Sequence, residues 1–193
     1  MAAPRRRRQL AVLGLVVALA WGALAGSVLS ADAVALEGSD EAAVCTPLAE
    51  ADVADGLIPI QSLAQGNVYD HGPARSILVV SAKPDPIVPV IDPASAPAVA
   101  GVDLSANVLV ALFAGRWPQD GHRVTIQSAR VTDTGVCLTA VVTGPKPGQD
   151  AADAETYPYH VVSLPLSALP RAPSTAWTVV STDGAQIATA SFP

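Results

Sequence analysis

Val108-Leu109-Val110-Ala111-Leu112-Phe113 is an unbroken apolar run, opened by Asn107 and closed soon after by Gly115. It is too short for a stable helix and rich in strand-forming side chains. Because it is apolar on both faces, it is expected to be a central strand covered from both sides. A different pattern follows it. In residues 122–128, Val124 and Ile126 alternate with Arg123, Thr125 and Gln127, as in a strand with one wet face. Further short β-branched runs at 57–63, 75–81, 87–91, 136–143, 159–166, 176–181 and 185–190 are separated by Pro, Gly, Asp and Asn. Nine candidate strands with almost no helix-length amphipathic stretch point to an all-β fold, a small antiparallel β-sandwich or open barrel. Residues 83–97 carry Pro84, Pro86, Pro89, Pro93 and Pro97. Proline cannot donate to a ladder, so this segment is expected at an edge or in a loop.

Outside the β region the chain is organised by charge. Arg5 to Arg8 precede a nearly continuous apolar stretch from Leu10 to Leu29, the pattern of a signal peptide or an uncleaved N-terminal membrane anchor helix over residues 1–30. Ala23-Leu24-Ala25 and Ala31-Asp32-Ala33 are both candidate cleavage sites. Either way the remainder is expected outside the cytoplasm, secreted or held at the cell surface. Residues 31–56 hold seven acids and no base, and read as a solvated spacer before a domain at 57–193. The whole chain has 11 basic and 17 acidic residues, a net charge of -6. Four of those bases and none of the acids lie in residues 1–30, so the exported part is more acidic still. That argues against a nucleic-acid partner, since nothing neutralises phosphates.

Catalytic motifs are sparse. His71, His122 and His160 have no metal-ligand spacing, and no nucleophile elbow or phosphate loop occurs; the turn Gly144-Pro145-Lys146-Pro147-Gly148 lacks a following Ser or Thr. Neither a cofactor nor a metal is expected. A structural role is the ordinary expectation for His160, and a hydrolase using His122 or His160 is kept as a third class of reading. Asp150, Asp153 and Glu155 share one Ala-rich loop, but their spacing matches no calcium loop. In an exported chain Cys45 and Cys137 can form one disulfide, closing a loop of about 90 residues and contributing roughly 3–5 kcal/mol. Alternatively Cys137 is a small buried hydrophobe and Cys45 a free thiol.

The segment between the two best-defined strands stands out. Gly115-Arg116-Trp117-Pro118 sits in a chain with only three tryptophans, and an exposed Trp/Arg pair on a rigid loop has the composition of an interaction hot spot. Trp117 instead covering the sandwich edge is the competing reading. Tyr157 and Tyr159 alternate on one face around Pro158, as core or as a rim beside the same loop.

Several of these segments together resemble a known family. Val102-Asp103-Leu104-Ser105, then Val108 to Phe113, Gly115 through Gly121-His122, and Val124 with Ile126 are similar to the core of the PrcB C-terminal domain. Residues 145–149 and Tyr157-Pro158-Tyr159-His160-Val161-Val162-Ser163-Leu164-Pro165 continue the resemblance, and 58–66 resembles its opening strand. The likeness spans roughly residues 57–172. It implies a small extracytoplasmic β domain, named for an accessory, non-proteolytic subunit of a surface protease complex, with no catalytic residues. Two departures matter: Gln119-Asp120-Gly121-His122 stands where the family has Thr-Gly-Gly-Tyr, and Leu104 replaces a Phe. The expected function is a non-enzymatic binding domain that stabilises or restrains an exported protease. The alternative is an envelope assembly or adhesion domain without a protease partner. Candidate partner-binding residues are Arg116, Trp117, His122, Tyr157 and Tyr159. The membrane is a further contact if the N-terminal segment is uncleaved.

Overall fold

The computed structural model describes residues 45–46, 56–68, 72–146, 148, 151–171 and 174–192. The signal or anchor helix, most of the acidic spacer, His71 and Asp150 lie outside the described residues. Eight strands follow in order: β1 (Gln61–Val68), β2 (Ser76–Ser81), β3 (Asn107–Ala114), β4 (Arg123–Thr132), β5 (Gly135–Thr143), β6 (Tyr157–Pro165), β7 (Thr175–Ser181) and β8 (Gln186–Phe192). They form two four-stranded sheets, ordered β1-β6-β3-β2 and β4-β5-β7-β8. The all-β expectation holds. One pair departs from the antiparallel expectation: β5 and β7 run parallel, because the chain crosses to β6 in the other sheet between them.

β3 lies inside its sheet between β6 and β2. Its two faces are buried in two separate cores. Val108, Val110 and Leu112 point between the sheets, where they meet Val124, Ile126, Leu138, Val162, Trp177 and Val179. Leu109, Ala111 and Phe113 point outward, with Tyr159 and Val161 of β6. What covers them is the proline-rich connection after β2. Ile87, Ile91 and Val99 from that connection are almost fully buried against this outer face. The segment is thus a third layer. The strand expected at 87–91 is instead a 3-10 turn at Val88–Val90, because Pro86 and Pro89 withhold the donors a ladder needs. A short helix, α1 (Ala96–Ala100), completes the layer with Pro97 in its first turn.

The first strand begins later than expected, at Gln61. Residues just before it belong to the other sheet: Ile58 N–H donates to Ala129 O at 2.8 Å, and Val131 N–H donates to Gly56 O at 3.1 Å. The chain therefore changes sheets at Pro59-Ile60 and then pairs with β6. Cys45 is bonded to Cys137 of β5, with Cα atoms 5.5 Å apart. Beside it, Arg130 Nη2 donates to the Thr46 carbonyl at 2.5 Å, so this short segment is fixed on the outer face of the β4-β5-β7-β8 sheet.

Candidate functional site

At one end of the sandwich the β3–β4 loop (115–122) and the β5–β6 loop (144–156) meet. β3 and β6 are paired with Phe113 opposite Tyr159, and the ladder resumes beyond the strands with Trp117 opposite Thr156. The register has slipped by one residue across Gly115, whose φ of 81° is the left-handed conformation that glycine adopts without strain. A Cβ there would also sit 3.1 Å from Arg75 C and Ser76 N. Trp117 and Thr156 exchange two backbone bonds of 2.9 Å, Asp120 N–H donates to Ala152 O, and Thr156 Oγ1 donates to Gln119 O at 3.2 Å. Among the described residues, 117–120 and 152–156 form one hydrogen-bonded unit.

On this frame the indole of Trp117 stacks on the imidazole of His122, with centroids 4.2 Å apart and planes 23° from parallel. His122 Nδ1 donates to Gln119 O at 3.1 Å, which holds the ring in place. Arg116 is exposed and pairs with Glu155 at 3.5 Å, and Tyr157 donates its hydroxyl to the same carboxylate. Four of the five residues singled out in the sequence therefore converge here. Glu155 is the residue that joins two of them, a role that its acidic loop context did not reveal. Trp117 is half-buried, and its Nε1 is shielded from solvent with no acceptor among the described residues. It lines an open groove of about 510 Å³ between the end of β5 and the β7–β8 turn. Asp183 stands at that turn, and the Ser181 hydroxyl and Ala185 N–H hold its carboxyl below the usual range.

Tyr159 is placed elsewhere. It is fully buried on the outer face of its sheet, where its hydroxyl accepts from Asp92 N–H at 3.2 Å and donates to Ser95 Oγ at 3.3 Å. Of the two sequence readings for this residue the structure has core packing: the ring anchors the proline-rich layer and is not presented at the surface. Tyr157 is also buried, and its hydroxyl reaches the loop unit at Glu155.

His160 and Ser62 form a pair with the spacing of a base and a nucleophile, Nε2 to Oγ at 2.9 Å. Its polarity is reversed. Nδ1 accepts the backbone N–H of Ile126 at 2.9 Å, so in the neutral ring the proton must sit on Nε2 and point at Ser62. A general base needs a lone pair there and an acceptor at Nδ1. Among the described residues no group of His, Cys, Asp and Glu is arranged to hold a metal ion.

Residues 108–165 match the family model described as PrcB C-terminal, which bears out the resemblance read in the sequence. The match runs from β3 to the end of β6 and contains both loops of the unit. No curated protein matches the chain, and no solved structure does.

Proposed function

We propose, from the PrcB C-terminal core at residues 108–165, that this chain is an extracytoplasmic, non-enzymatic subunit that holds a protease or its complex through the joined 115–122 and 144–156 loops. The family implies association with a protease complex, hence a protein partner. The observation that carries the finer reading is the convergence of Arg116, Trp117, His122 and Tyr157 on one rigid loop unit inside the matched segment. Aromatic and arginine side chains held in fixed conformations lose little entropy on binding, and such residues dominate interface energetics. The reversed Ser62–His160 pair supports a binding role over hydrolysis. Export follows from the arginine-led apolar segment and fits the single Cys45–Cys137 bridge.

The test is capture of envelope and medium proteins on the tagged full chain, with the bound proteins identified by mass spectrometry. Wild type is expected to retain a protease. Arg116→Ala with Trp117→Ala is expected to lose it at an unchanged unfolding midpoint. Undiminished capture by the double variant refutes the site, and capture of envelope proteins without a protease favours the assembly alternative.

A further inference from the structure

We propose that His160 is a latch on the junction between β1 and β4, and that taking up a proton opens it and loosens the loop unit beside Trp117. The second half rests on the reading of that unit as the contact end; the opening of the junction does not.

His160 is 3 % exposed and sits on the inner face of β6, at the side where the two sheets meet. Its ring is bonded to both sheets at once, to Ser62 of β1 and to the backbone of Ile126 in β4. Ile126 borders an irregularity, since the β4–β5 register shifts between Ile126 and Ser128. The imidazole thus replaces strand pairing at this point. Only the neutral ring can do so. An imidazolium carries a proton on each nitrogen, so Nδ1 would turn an N–H toward the Ile126 N–H and the bond would become a clash of two donors.

Among the described residues no group near the ring offsets a positive charge. β1, β3, β5, β6 and β7 carry neither carboxylate nor basic side chain other than His160 itself. β4 carries Arg123, which is exposed, and Arg130, which is engaged by Thr46. Neither offers a counter-charge. Burial accordingly pushes the His160 pKa below its ordinary value. The sign follows from linkage. Above about pH 6.5 the ring is neutral in closed and opened states and the full stabilisation is present. As pH falls, the opened state takes the proton first, and the closure weakens until pH has passed the lowered value of the closed state.

The disturbance has a short path to the loop unit. Along β4 from Ile126, Gln65 Nε2 donates to Val124 O at 2.7 Å and Asn67 Nδ2 to His122 O at 3.2 Å. His122 is the ring stacked on Trp117. Freeing β4 at Ile126 leaves the Gln65 and Asn67 side chains as the links from β1 to this end of β4, and only Asn67 among them reaches His122.

Hydrogen exchange on the full chain at about pH 7.5 and about pH 5, corrected for intrinsic rates, tests the latch. Protection of 61–67 and 123–129 is expected to fall by up to roughly tenfold per pH unit below about 6.5, one proton's worth, while 175–192 holds. In His160→Gln, which offers Ile126 an acceptor that does not titrate, the profile is expected to be flat. Equal protection at both pH values, or a fall that survives in the variant, overturns the proposal. Should the variant not fold, an NMR titration of wild type decides. The Ile126 amide is expected to shift with the midpoint of the His160 ring, and an amide indifferent to that titration overturns the latch. Both readouts are free of any partner, so their failure leaves the Arg116 and Trp117 capture test standing, and the reverse.

Discussion

The two sheets meet along two junctions, and each is closed differently. Along β4 the gap to β1 and β6 is crossed by directional bonds, Gln65 to Val124, Asn67 to His122 and Ile126 to His160, and the row is continued by the segment before β1, where Ile58 donates to Ala129 and Val131 to Gly56. Between β2 and β8 no strand pairing is made among the described residues, and Leu78, Val80, Ile187, Ala188, Ala190 and Phe192 fill the space instead. Apolar contact is indifferent to a small slip or a changed side chain. Hydrogen bonds to named backbone groups are not, because each one left unmade strands a buried polar atom. The polar junction therefore fixes register and answers to pH, whereas the apolar one tolerates change and ends in the open groove beside Trp117.

Variants can press on this difference. The largest loss is expected from Cys45→Ser with Cys137→Ser, which removes the brace next to Arg130 on the polar side; urea unfolding should show about 2–5 kcal/mol. An unchanged midpoint would mean that β4 and β5 hold without it. His160→Leu should cost about 1–3 kcal/mol by the same measurement, since the Ile126 N–H is left buried and unpaired, and the part of the stability loss that begins near pH 6.5, ahead of the carboxylates, should disappear. Gln65→Ala removes bonds to Val124 O and Thr125 Oγ1 and should cost about 1 kcal/mol. On the other side, Ile187→Val trims one methyl from a partly buried side chain of the β2–β8 junction and should cost no more than about 0.5 kcal/mol. A loss there as large as that of Gln65→Ala would erase the contrast.

The strands were legible because their side chains alternate against water, and β3 was legible as central because it does not alternate at all. The boundary of β1 was not. Leu57 and Ile58 have strand composition, yet they pair with β4 before the chain crosses to β6, and a change of partner leaves no periodic trace. Ile87 and Ile91 misled for a related reason. They are apolar because they are buried under β3 and β6, but from a proline-rich layer, where burial does not require a ladder. The same layer decides Tyr159. Alternation correctly places Tyr157 and Tyr159 on one face, while whether Tyr159 is wet depends on a segment more than fifty residues away. Arg116 and Trp117 stood out by the scarcity of such residues in this chain and His122 by its place in the family resemblance, while the pairing of Arg116 with Glu155 left no mark in the sequence.

The proline-rich layer has a consequence for colloidal behaviour. Residues 108–113 and much of β6 are the kind of uncharged, β-prone sequence that stacks into dry zippers when several chains expose it together. A third strand-forming layer would have shielded them while offering new edges. Five prolines in 83–97 shield them without that liability, because a segment that cannot extend a ladder cannot template one on a neighbouring molecule. The covering is gatekeeper as much as core.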